Sequence, residues 1–259
     1  MQLCIFCGAP ASSKEDAWPL WLLKRLGVDG RGQMTAKRGR DTARTWPSAA
    51  GSLRIGVVCG TCNNHWMSDL ENRAKPAIEP LLEEAPASLD TSQQATVAIW
   101  AIKTAMVLEA LRSDKPLFFT VEERAQMREA QSPPPRTAVW IARAVGHSVT
   151  YCSAEDLTGE VDNSGERVKA YVTTMVFGPL AIQVMHLALP AAHTQKSVTA
   201  SLRPGPWDKV AVRVWPEPGD TVRWPLAMGL SGEMGSDAFG DRWRPEKPSM
   251  SSGCCLTTE

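Results

Sequence analysis

The tightest constraint on this chain is a matched set of cysteines. Cys4 and Cys7 form one C-x2-C pair, and Cys59 and Cys62 repeat that spacing after an interval of 51 residues. A C-x2-C pair places two thiolates on one turn of backbone, and two such pairs supply the four tetrahedral ligands that zinc prefers. They use four of the seven cysteines, so the expectation is one Zn²⁺ held by Cys4, Cys7, Cys59 and Cys62. Four thiolates close the coordination shell, which makes the ion structural and not catalytic. The other reading is four unrelated buried thiols. Cys152 reads as a small buried residue, and Cys254 and Cys255 have no partner pair nearby.

The rest of the composition sets the frame around that site. With 259 residues and 43% hydrophobic residues the chain has enough apolar side chain to build a packed core. Its formal charge is zero, which excludes a generic polyanion binder. The charge is uneven, however: residues 24–54 carry eight basic and two acidic side chains. Lys37, Arg38, Arg40 and Arg44 within that stretch are candidates for contacting phosphates, against the plainer reading of a solvated loop. The opening residues lack the basic segment and apolar run of a secretory signal. The longest apolar stretch, residues 95–111, holds Lys103 and Glu109 and falls short of the roughly 20 residues that span a bilayer. A soluble, cytoplasmic protein with no membrane partner is expected. Reduced thiols there favour metal ligation over disulfides.

Periodicity divides the chain in two. Residues 1–90 predict a zinc domain: a knuckle, a short helix over 19–26, a mobile loop over 27–52, a strand over 53–58, then a second knuckle opening a helix. On that helix Asn63, Trp66, Met67 and Leu70 share a face, and Pro76, Pro80 and Pro86 punctuate its exit. Residues 91–259 begin with a helix over 93–112, capped by Ser92 or Thr91 and apolar nearly all round, hence buried. Lys103 in its middle is expected to snorkel to the surface, or else to meet a carboxylate or phosphate. A polar helix over 121–130 follows. Segments 137–142, 168–177 and 180–189 are rich in Val, Thr, Ile and aromatics and predict strands, with Gly178-Pro179 as a hairpin turn. The expected class is α+β, with an N-terminal treble-clef zinc domain and an antiparallel sheet packed on the long helix. His147 and His186 fall in or beside strands, where packing is the default.

The arrangement Cys4-Ile5-Phe6-Cys7-Gly8, Ser13-Lys14-Glu15-Asp16-Ala17-Trp18-Pro19-Leu20-Trp21-Leu22 and Val58-Cys59-Gly60-Thr61-Cys62-Asn63 resembles the zinc-stabilised HNH (His-Me finger) endonucleases over residues 1–75. That resemblance implies a nuclease acting on nucleic acid phosphodiesters with Mg²⁺ or Mn²⁺. It puts Glu15 at the metal-binding position and Asn63 at the later helical one. Asp16 stands where the family has its general-base histidine. A carboxylate is a poorer base than an imidazole at neutral pH, so Asp16 serves as a metal ligand or the base role passes to His65.

Each of these residues has a plainer role. Ser12 and Glu15 have capping-box spacing, Asp16 is placed to cap the helix that Pro19 begins, and Asn63 to cap the next. His65 reads as an exposed surface residue. The alternative function is therefore a catalytically inactive zinc-built module that binds nucleic acid or protein.

Overall fold

A computed structural model describes residues 2–16, 18–27, 32–38, 44–48, 54–110, 116–146, 151–160, 167–188, 206–231 and 235–242. His147, Arg40, Cys254 and Cys255 lie outside them. The class is α+β.

The N-terminal knuckle closes through Cys4 and Ala9 backbones (2.7 Å) and through Gly8 N–H to the Cys4 carbonyl (2.9 Å). Gly8 sits at φ +72°, where a Cβ is unfavourable. Strand β1 (Ser13–Asp16) then pairs antiparallel with β4 (Arg54–Val58). Between them lie α1 (Leu20–Arg25), β2 (Gly32–Arg38) and β3 (Arg44–Ser48). This corrects the expected loop over 27–52. Strands β2 and β3 form an antiparallel pair, and β2 joins the main sheet beside β7 (Tyr151–Glu160). The glycine, proline and basic residues of this stretch read locally as a loop, and β7, the strand that joins it to the main sheet, lies elsewhere in the chain.

The second knuckle starts one long helical passage: α2 (Gly60–Cys62), a π-helical turn over Asn63–Met67, and α3 (Ser68–Leu82). Pro76 and Pro80 lie inside α3 and do not end it. Its apolar face, Leu70, Ala74, Ala77, Ile78 and Leu81, is buried, and that packing outweighs the two missing N–H donors. After β5 (Ala87–Asp90) comes α4 (Thr91–Glu109). The cap is Asp90, one residue earlier than expected: it accepts Gln93 N–H at 2.8 Å, and Gln93 Oε1 accepts Asp90 N–H at 3.0 Å. Helix α5 (Val121–Ala130) has a matching capping box from Thr120 and Glu123.

The remaining chain builds the main sheet, ordered β10-β6-β9-β8-β7-β2-β3. Here β6 is Thr137–Arg143, β8 Arg167–Phe177, β9 Leu180–Ala188 and β10 Ala211–Trp215. Gly178, at φ +56°, makes the β8–β9 turn, and a Cβ there would meet Leu26 at 2.8 Å. The expected hairpin and the packing of the sheet on the long helix are both present. Strand β11 (Thr221–Trp224) pairs with β5, and α6 is Ser236–Asp241.

Nearly every residue of β9 is buried because both faces of the sheet are covered. Its inner face packs on α4, and its outer face packs around Trp140, Met185 and Phe239. One apolar core runs without a break from Cys4 and Phe6 through Trp66 and Leu70 to Trp100 and Phe177, across the expected boundary at residue 90. No described helix is long and apolar enough to cross a membrane.

Candidate metal centre and adjoining cleft

The four cysteines converge as their spacing predicts. Their Sγ atoms all lie within 4.8 Å of one another, and three of the four are buried. A tetrahedral zinc with Zn–S bonds of about 2.3 Å sets its sulfurs about 3.8 Å apart, so the cluster fits one such ion. The Cys7 and Cys59 sulfurs are 3.5 Å apart, far beyond the ~2.05 Å of a disulfide, and all four thiols are free. Cys59 Sγ also accepts the Cys62 N–H at 3.4 Å, which pins the second knuckle. Burial opposes ionisation of Cys59, but the Cys62 N–H and the neighbouring thiols outweigh it and draw its pKa down to about 7. Burial pushes the coupled Cys7 and Cys62 thiols up, so the low value at Cys59 belongs to the cluster as a set.

The same knuckle aligns β1 with the helical passage. Gly60 N–H donates to Ser12 Oγ (3.2 Å), and Asn63 Nδ2 donates to Ser13 Oγ (2.8 Å). Phe6 packs edge-on against Trp66 with ring centres 5.0 Å apart. Two irregularities meet here: a register shift in β1 between Ser13 and Glu15, and the π-helical turn that begins at Asn63. Such bulges re-aim side chains. The result is a cleft of about 310 Å³, whose polar wall includes Glu15, Asp16, Asn63, Ser68 and Glu71 and whose apolar wall includes Trp21.

Glu15, Asp16 and Asn63 therefore line one cleft, while His65 is exposed and does not line it. The capping roles are not taken. Ser12 binds Gly60, Glu15 lies in a strand, and α1 has no side-chain cap. Lys37, Arg38 and Arg44 fall on β2 and β3.

Sequence reasoning left Lys103 between snorkelling and a carboxylate or phosphate partner, of which the carboxylate is found, and it missed Glu71. Lys103 does not snorkel: it is 1% exposed, and its ammonium lies 3.3 Å from Glu15 and 3.0 Å from Glu71. The available signal was a charge in the middle of an all-apolar helix, which demands a partner. Glu71 carried no signal at all. Burial opposes the Lys103 charge, yet Glu71 and Glu15 together lift its pKa above the ordinary value. Burial dominates at Glu15 and raises its pKa; Lys103 offsets part of this, while the neighbouring Glu71 and Asp16 carboxylates add to the rise.

No protein-family model, curated protein or solved structure matches this chain. Its function must be read from the site alone.

Proposed function

We propose that this protein is a zinc-stabilised, HNH-like nuclease that cleaves nucleic acid phosphodiesters with a divalent cation. The observation that carries this reading is the shared cleft: Glu15, Asp16 and Asn63 line one open space, and Asn63 directly follows the metal-cluster residue Cys62. A Mg²⁺-type ion takes only one or two protein carboxylates and keeps several waters. The residues present fit that demand. Asp16 offers a carboxylate, and Asn63, whose amide nitrogen is engaged by Ser13, offers its carbonyl oxygen. Such an ion, once bound, supplies Lewis-acid polarisation of the phosphodiester and stabilises the leaving oxygen. The basic residues of β2 and β3, Lys37, Arg38 and Arg44, serve to grip the phosphate backbone. With a carboxylate in place of the family's imidazole, water activation is weak at neutral pH, and cleavage is expected to rise with pH.

The test is incubation of the zinc-loaded chain with plasmid DNA and with RNA in Mg²⁺ or Mn²⁺. Cleavage is expected to fall at least about 100-fold in Asp16→Ala and in Asn63→Ala with zinc content unchanged. Intact nucleic acid under every metal and pH condition would remove the nuclease reading.

A second reading is favoured by the Lys103 bridge and by the lack of a histidine among the residues lining the cleft. It is a non-catalytic module in which the same zinc scaffold binds nucleic acid or protein. Binding that persists in Asp16→Ala but disappears on chelation of the zinc would support it.

A further inference from the structure

We infer that Lys103 is the resident cation of the Glu15–Glu71 pair: its ammonium bridges the two carboxylates, holds them in place and excludes divalent metal from between them. The inference rests on the proposed nuclease reading only for the location of an added ion, which is left to the Asp16 and Asn63 side.

Three elements converge on one buried nitrogen. Glu15 comes from β1, Glu71 from α3 and Lys103 from the middle of α4, with separations of 88 and 32 residues along the chain. A buried ammonium is tolerated only where acceptors surround it. Lys103 meets that condition with two carboxylates, at 3.3 and 3.0 Å, and uses two of its three N–H donors on them. Between the two Oε1 atoms the ammonium occupies the place that an ion would take. A Mg²⁺-type ion needs oxygens at about 2.0–2.1 Å in near-octahedral array, and an ammonium already fills the space that both oxygens face. The charge argues the same way: two carboxylates and one ammonium leave a single net negative charge, shared by the pair. The resemblance places the nuclease metal at Glu15, and the position of Lys103 disagrees with that placement.

The side-chain arrangement also fits a positioning role. Glu15 is 6% exposed, while Glu71 is more open, its side chain 24% exposed. Loss of the ammonium would leave two carboxylates facing each other with nothing between them, which is a divalent-cation site.

The experiment is Mn²⁺ binding to the full, zinc-loaded chain, followed by electron paramagnetic resonance and calorimetry. Lys103→Met is expected to bind Mn²⁺ at least about tenfold more tightly than the wild type. That gain is expected to vanish in Lys103→Met/Glu15→Gln, and Lys103→Arg should behave as the wild type. A merely structural lysine would produce no gain of metal binding. Should Lys103→Met lose its zinc or its helix content, Glu71→Gln decides the matter. It is expected to bind Mn²⁺ as the wild type does, and a tenfold loss would put the ion between the glutamates and overturn the inference. A Lys103→Met chain that folds yet binds Mn²⁺ no better than wild type would overturn it equally. Failure of the nuclease reading is distinguished by the cleavage assay, on which neither outcome depends.

Discussion

At the scale of single residues, two of the buried charge clusters among the described residues stand apart from the surface ion pairs. One is the Lys103 bridge. The other is Glu109 with Arg124, both almost wholly buried and 2.6 Å apart. Glu109 also accepts the N–H groups of Phe118 and Phe119, so it ties the end of α4 to the approach of α5. Removing one member of a buried pair strands the other, at a cost of about 3–5 kcal/mol. Arg124→Met is therefore expected to lose that much in urea unfolding. Adding Glu109→Gln should restore part of it, because the amide carries no charge and keeps a carbonyl oxygen for one of the two N–H groups. An unchanged midpoint in Arg124→Met would show the pair to be energetically idle.

At the scale of elements, α5 is fastened at its first turn. Glu123 accepts the Thr120 N–H at 2.9 Å and lies 3.1 Å from His186 Nε2, and His186 Nδ1 lies 2.9 Å from Thr137 Oγ1 on the neighbouring strand. Burial alone would raise the Glu123 pKa; His186 and the Thr120 N–H outweigh it and hold it below 4.5. The sign follows from linkage. A carboxyl with a depressed folded pKa stabilises fully above its unfolded pKa and loses that contribution as pH falls through the lower folded value. Thermal unfolding at pH 7 and at pH 3 should show the wild type losing more stability on acidification than Glu123→Gln. Equal losses would show that this carboxyl does not couple α5 to pH.

At the scale of the whole molecule, the cysteine cluster is one end of a single core and not a detached finger. Cys4, Cys59 and Cys62 belong to the same buried cluster as Trp100 and Phe177, and Trp18 packs edge-on against Phe177 at 4.9 Å. Loss of the metal should therefore be felt by the sheet. One zinc per chain is expected by mass spectrometry. Chelation should lower Tm by about 6–12 °C, on the basis of a loss of about 3 kcal/mol at about 2–4 °C per kcal/mol. Near-ultraviolet circular dichroism and tryptophan fluorescence should then report one transition. A sheet that melts at its original temperature in the chelated protein would show two independent units.

Much of this was legible in the residues themselves. C-x2-C spacing confines two thiolates to one turn, so the metal cluster is written locally, twice. The ends of α5 and the β8–β9 turn are likewise set by near neighbours: a capping box, and a Gly-Pro turn at positive φ. The β2–β3 hairpin was not legible, since its glycine, proline and basic residues read locally as a loop and β7, which joins it to the main sheet, lies elsewhere in the chain. The place of Pro76 and Pro80 inside α3 was decided by the apolar face that buries that helix, a tertiary effect that overrides a local breaker. The cleft divides along the same line. The sequence by itself determined that Asn63 would flank a knuckle, because it follows Cys62 directly, whereas Asp16 is carried there by the pairing of β1 with β4. Only the tertiary structure decided that Lys103 and Glu71 would complete it. A buried charge demands a partner, but no local pattern says which of many carboxylates, 32 or 88 residues away, packing will deliver.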